Sequence, residues 1–493
     1  MSPKPPSSTK RNFAFTTAFT AVNILYPLIT FAYVSRVMGP AFLGRINLAT
    51  SLASYFTLLA ALALPLYGAR EIAKVRHDPA RLDRVFSELM IINLASTAVA
   101  LLLYGVCLLI PGRIHADWFL YAVAGLFIAS NCVSLDWFFQ GIEDFPSTFV
   151  RNLCTKIATF LLMVLLVRRS EDYIWVAGIG AASAFGYNLW GLRAALRKVS
   201  LRFRGTRPFA HTRPLVWLIL ATILSSAYVY LDGVLLGFLG GERALGFYSV
   251  AIRITRTSHM VVIALTTTMI PRMSSYLESG RRDDYAALGQ KSIHAIFFLC
   301  FPIYAILTAL SPHLVALMAG PQFLKAAATL RYTMPLLPLV GFTHWLGLQI
   351  LFPRGEERML FFSAAVGAAV NLGLNLFLIP RFAENGAAWA AVATEACAGL
   401  TLLVLVRKGL REFRYWDAHF FNYLVFGLLS GGIAWGAAYC LGADLPASVG
   451  GALAGGAFYL GSLWLRKDPL ARDMASIALR KGRIALERAP DHA

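Results

Sequence analysis

Two arginines three residues apart, Arg253 and Arg256, stand in the middle of an apolar run that begins at Leu245. At about 1.5 Å of rise per residue they lie roughly 12 and 16 Å into that run. An arginine at the centre of a bilayer costs about 2.5–3.5 kcal/mol on insertion scales, so two on adjacent turns need a compensating environment. Their spacing puts them on one helix face, which His259 continues a turn further. One reading is the cationic wall of a water-filled cavity that receives an anion, ideally a phosphate, which guanidinium groups bind bidentately. The other is a buried structural ion pair, for example with Asp232.

Other polar residues interrupt apolar runs in the same way. Asp232 could pair with an arginine or carry a coupling proton or sodium ion, and Glu395 is open to the same two readings. Thr16, Thr20, Asn23, Pro27 and Thr30 recur at steps of four and three, as do Asn47, Ser51 and Ser54. Each set is one polar stripe on a helix, suited either to lining a cavity or to packing helix against helix. Arg151 and Lys156 point toward a cytoplasmic mouth. Snorkelling of a long side chain explains Arg151 well and Lys156 less well. Tyr228 and Tyr230 are polar-tipped aromatics that could border a passenger.

The elements that must position these groups follow from composition. The chain has 493 residues, 58% hydrophobic and 14% charged, with a mean hydropathy of +0.62. Soluble domains carry about 25% charged residues. Spanning a bilayer takes roughly 20 apolar residues of helix, and about fourteen such stretches lie between residues 13 and 465. The continuous runs lack the alternation of a membrane barrel. The 45 Lys and Arg fall mostly in the two tails and in every second loop, which places both termini in the cytoplasm by the positive-inside rule. The net charge of +19 is then topology and attraction to anionic lipid, not nucleic-acid binding. The first apolar run is too long for a cleavable signal. The six cysteines form no C-x-x-C pair and behave as small apolar residues.

The expected fold is an all-α polytopic membrane protein with two parallel six-helix lobes and an appended helix pair. Residues 1–12 form a disordered cytoplasmic tail, 13–200 the first lobe, 201–213 a basic linker and 214–410 the second lobe. Two extra transmembrane helices occupy 411–465, and 466–493 form a basic tail, part of which could lie on the membrane as an amphipathic helix. A faint repeat supports two lobes: Gly39-Pro-Ala-Phe-Leu-Gly44 returns as Gly241-Glu-Arg-Ala-Leu-Gly246. An even number of helices per copy makes the repeats parallel, the arrangement of alternating-access transporters. There is no Gly-rich phosphate loop, no H-E-x-x-H and no Ser/His/Asp set. No catalytic residue, bound metal or cofactor is therefore expected, and a membrane enzyme would need a larger acid-bearing loop.

Three stretches bring a family into view: Asp136-Trp-Phe-Phe-Gln-Gly-Ile-Glu143; Gly367-Ala-Ala-Val-Asn-Leu-Gly-Leu-Asn375 with Leu378-Ile-Pro380, Gly386-Ala-Ala and Thr394-Glu395; and Tyr33 to Gly44. The chain resembles the polysaccharide repeat-unit flippases, the O-antigen and exopolysaccharide transporters of the multidrug/oligosaccharidyl-lipid/polysaccharide exporter superfamily. The resemblance covers about residues 1–410. It implies a basic cavity that passes undecaprenyl-pyrophosphate-linked oligosaccharide across the bacterial inner membrane, driven by antiport of H+ or Na+. It also implies a monomer among membrane lipids, working beside glycosyltransferases and a polysaccharide polymerase. The family's cavity arginines map onto Arg253 and Arg256, and its acid onto Asp232. Arg381-Phe382-Ala383 departs from the family's aromatic-Gly pattern. A cation or drug antiporter of the superfamily, which would favour acids in the cavity, and a flippase for the peptidoglycan lipid precursor are the alternatives.

Overall fold

The computed structural model describes residues 9–110, 112–202, 205–211, 231–407, 413, 416–442, 445–474 and 476. Among the described residues every regular element is helical. Nine helical stretches there are long and apolar enough to cross a bilayer. The chain is a multi-pass, all-α membrane protein, although these nine do not fix the expected total of fourteen. The helix that carries Arg253 and Arg256 is not one of the nine.

The chain forms two compact units. The first comprises Met1–Ser249, Met318–Phe323 and Leu372–Ala387, and the second Val250–Leu317, Leu324–Asn371 and Ala388–Ala493. In chain order the helices used below are α1 (Thr9–Ala61), α2 (Leu64–Val75), α3 (Pro79–Leu108), α4 (Trp118–Ser130), α5 (Asp136–Gly141), α6 (Phe145–Leu166) and α7 (Tyr173–Ala195). There follow α8 (Glu242–Glu278), α9 (Arg282–Ala309), α10 (Leu336–His344), α11 (Glu357–Val406), α12 (Ala418–Leu441) and α13 (Leu445–Leu465).

In the first unit α1 joins two expected spans and bends at Gly39, whose φ of 71° and ψ of 175° suit a residue without a Cβ. The two copies of the glycine repeat meet there. A Cβ on Gly44 would lie 1.7 Å from the carbonyl oxygen of Glu242, and one on Gly246 would lie 1.9 Å from that of Pro40. Glycine at both positions lets two backbones touch, and Arg45 closes the contact with an ion pair to Glu242 at 2.6 Å. The short piece at Met318–Phe323 joins this unit because Gln322 donates to the carbonyls of Ser35 and Arg36 at 3.3 and 2.8 Å.

The fourth apolar run is not one helix. It breaks between α4 and α5 through a 3-10 turn at Asn131–Val133. Backbone carbonyls opened inside a membrane need partners, and they have them. Asn93 of α3 donates to the carbonyls of Asn131 and Cys132 at 2.7 and 3.2 Å, and Asn188 of α7 donates to that of Ser130 at 2.9 Å. The break turns α5 so that Trp137 packs on Gly68 and Gly141 on Ile72 of α2.

The segment read as a basic linker is fastened along α3 as far as it is described. The backbone amides of Ser200, Arg202 and Arg207 donate to Asp83, Ser87 and Glu88 at 2.9, 2.8 and 2.7 Å. His211 Nε2 lies 3.0 Å from Glu88 Oε2, and its Nδ1 lies 2.7 Å from the Tyr67 hydroxyl. A carboxylate only accepts, so Nε2 is the donor to Glu88, and Nδ1 shares a hydrogen bond with the Tyr67 hydroxyl. At the loop before α7, the amides of Arg168 and Arg169 donate to Asp172 at 2.9 and 2.8 Å. These two bonds hold its carboxyl below the usual range.

In the second unit α12 and α13 pack on α9 through small residues. Gly427 meets Phe301, Gly431 meets Ala305, and Gly455 meets the Ser430 carbonyl. Phe297, Phe298, Tyr423 and Tyr459 fill the layer between. Buried Asp468 ties the end of this group, accepting from Tyr423 at 2.9 Å and from the His419 ring at 2.8 Å.

Candidate functional site

Arg253 and Arg256 lie on α8, in the second unit, and both side chains are exposed. Ile254 and Thr255 between them are buried, and the Thr255 hydroxyl shares a hydrogen bond with that of Thr333 at 2.8 Å. One face of α8 is thus packed, and the arginines stand on the face that is not. His259 follows, within electrostatic range of Arg256 and His344. Among the described residues neither His259 Nε2 nor His344 Nδ1 has a hydrogen-bond partner. Beside them Thr343 donates to Glu395, which fixes that carboxylate on α11. His344 ends α10 where a π-helical stretch, Trp345–Leu351, begins, a local widening that recurs at functional positions.

Asp232 lies in the first unit, 6% exposed. The Asn375 amide donates to its Oδ1 at 2.7 Å and the Tyr248 hydroxyl to its Oδ2 at 3.0 Å. Each carboxyl oxygen of Asp232 thus accepts a hydrogen bond from a neutral side chain. Sequence reasoning singled out Asp232 but not these partners. Asn375 stood in plain view at the end of the Gly367–Asn375 motif.

Asn23 and Lys156 come together: the ammonium donates to Asn23 Oδ1 and lies 5.1 Å from the centre of the Tyr26 ring. Asn47 lies further along α1, and its Nδ2 is buried with no partner among the described residues. Tyr228 and Tyr230 fall outside the described residues.

Arg151 does not reach toward solvent. It is 2% exposed and held between the rings of Phe139 and Tyr187, at 4.2 and 4.8 Å from their centres. Asp136 lies 3.8 Å from it and accepts from the Tyr187 hydroxyl at 2.7 Å. Here the Asp136–Glu143 motif acts as an organiser. Asp136 and Phe139 hold Arg151, Trp137 and Gly141 seat α5 on α2, and Glu143 pairs with Arg76 at 2.5 Å.

A family model described as "Polysaccharide biosynthesis protein" matches residues 9–277. The chain belongs to this family of polysaccharide flippases. A second family model, "Lipid II flippase MurJ", matches residues 144–443 of the flippase chain. A relative from Shigella dysenteriae named "Putative O-antigen transporter" is 21% identical over 82% of this chain and 100% of its own length. One of the same name from Escherichia coli (strain K12) is 25% identical over 81% of this chain and 97% of its own length. The fold matches a solved structure titled "Lipid II flippase MurJ, inward closed conformation" with a TM-score of 0.70 at 13% identity. That match covers 94% of this chain and all of the other, and at such identity it speaks for the fold alone.

Proposed function

We propose that this chain moves undecaprenyl-pyrophosphate-linked oligosaccharide repeat units from the cytoplasmic to the outer leaflet by alternating access through an arginine-lined cavity. The observation that carries this reading is the exposure of Arg253 and Arg256 on the unpacked face of a helix, where the residues between them are buried. Facing hydrocarbon, each would cost several kcal/mol. Facing water, they present two planar forks suited to a pyrophosphate. The lipid tail stays in the bilayer, and Asn23, Asn47, Lys156, Tyr228 and Tyr230 border the glycan. The binding free energy offsets the solvation that a charged head loses in crossing the membrane.

Transport is coupled to H+ or Na+, with Asp232 and Glu395 the candidate carriers. The protein works as a monomer in the bacterial inner membrane, both termini cytoplasmic, between the glycosyltransferases that build its cargo and the polymerase that consumes it. Arg253→Glu and Arg256→Glu are expected to abolish polysaccharide export in a deletion strain. Normal export by a reversed-charge variant inserted at normal level would remove the arginines from the mechanism.

A second reading is favoured by the match of residues 144–443 to the lipid II flippase model. The peptidoglycan lipid precursor shares the pyrophosphate head. Rescue of cells depleted of that flippase would establish it, and failure to rescue would leave the repeat-unit reading.

A further inference from the structure

Lys156 stands eleven residues into α6, roughly 16 Å along the helix. It is half-buried, and an ammonium at that depth costs about 2.5–3.5 kcal/mol if nothing compensates it. Its partners among the described residues are the Asn23 carbonyl oxygen and the face of Tyr26, and neither carries a charge. The surrounding sequence offers none either: there is no Asp or Glu at 1–70, 145–170 or 173–231. Arg151, on the same helix, shows how the fold treats a cation that serves structure. It is buried, has a carboxylate 3.8 Å away and is clamped by two rings. Lys156 has no such housing.

The geometry around Lys156 suits an anionic guest with paired oxygens. With its carbonyl oxygen held by the ammonium, Asn23 keeps two N–H donors on Nδ2, and the ammonium keeps two of its own. Adjacent donors on separate nitrogens match the two oxygens of a carboxylate, and the charge makes the bonds strong. We infer that Lys156 and Asn23 form a carboxylate subsite and that the glycan carried by this chain contains an acidic sugar. The inference rests on the flippase reading above and names the class of its cargo.

The test uses two probes, undecaprenyl-pyrophosphate-linked trisaccharides that differ only in glucuronic acid against glucose at one position. Both carry the pyrophosphate, so an attraction of Lys156 for that group cancels in the ratio of their translocation rates in proteoliposomes. The expected ratio for the unmodified protein is about tenfold in favour of the acidic probe, the scale of one desolvated charge-assisted contact. Lys156→Gln is expected to bring the ratio to about one and Lys156→Arg to keep most of it. Asn23→Asp, which supplies Lys156 with a carboxylate of its own, should also collapse it. Equal rates for the unmodified protein, or an unchanged ratio in Lys156→Gln, would overturn the subsite and leave the flippase reading standing. Movement of neither probe by the unmodified protein would overturn both.

Discussion

Gly44 and Gly246, 202 positions apart, each press on the main chain of the other's motif, at Glu242 and Pro40. The reciprocity follows the repeat, since Glu242 is the counterpart of Pro40. Neither backbone can yield to a methyl group as a flexible side chain would. Gly44→Ala and Gly246→Ala are each expected to destabilise the protein by about 1–3 kcal/mol, the range for overpacked sites. A Cβ on Gly105 of α3 would meet nothing within 4 Å, so Gly105→Ala should be neutral or stabilise by up to about 1 kcal/mol. Thermal unfolding in detergent separates the two signs.

Ala383 breaks α11 with φ 47° and ψ −123°, a backbone conformation that belongs to glycine. Ala383→Gly is expected to raise stability by about 1 kcal/mol. An unchanged or lowered melting temperature would show that the surrounding turn gains nothing from relief at this residue.

Arg151 is expected to matter for folding and not for cargo. Arg151→Lys keeps the charge but loses the planar group between Phe139 and Tyr187. A loss of about 1–2 kcal/mol is expected, seen as a lower melting temperature with transport preserved at permissive temperature. Transport lost without loss of stability would move Arg151 into the cargo path.

Glu88 fastens both the Arg207 amide and the His211 ring. Glu88→Ala leaves both donors without their acceptor, and a loss of about 1.4 kcal/mol corresponds to tenfold easier release of the segment. Trypsin should then cut after Arg202 about tenfold faster in membranes that expose the basic loops, while the Arg207–Pro208 bond resists it. Equal cutting rates would mean that Asp83 and Ser87 suffice to hold the segment.

The class of fold was legible because a bilayer imposes its thickness on composition, and Arg253 and Arg256 were legible because a charge within an apolar run has few explanations. The glycine repeat could be seen as a repeat. That its copies touch could not, since nothing in spacing reports a contact across 202 positions. Asn23 and Lys156 were each singled out on separate helices, and only the folded chain joins them. Arg151 reads as a snorkelling residue until Phe139 and Tyr187 close around it, and those rings come from other segments. The break after Ser130 was invisible because Asn131-Cys-Val sits in an apolar run, while the side chain that meets the opened carbonyls is Asn93, 38 residues earlier. The Arg381-Phe382-Ala383 departure marked a place where backbone and residue type disagree, and Ala383 is where that disagreement falls.

The broken fourth span also bears on how the chain enters the membrane during synthesis. Alone in lipid, its exposed carbonyls would be costly, so the segment is a poor candidate for independent insertion. Asn93 leaves the ribosome first and can accompany the break as it partitions, whereas Asn188 arrives only with a later helix. The third and fourth spans are thus a natural insertion pair, completed when the sixth is made.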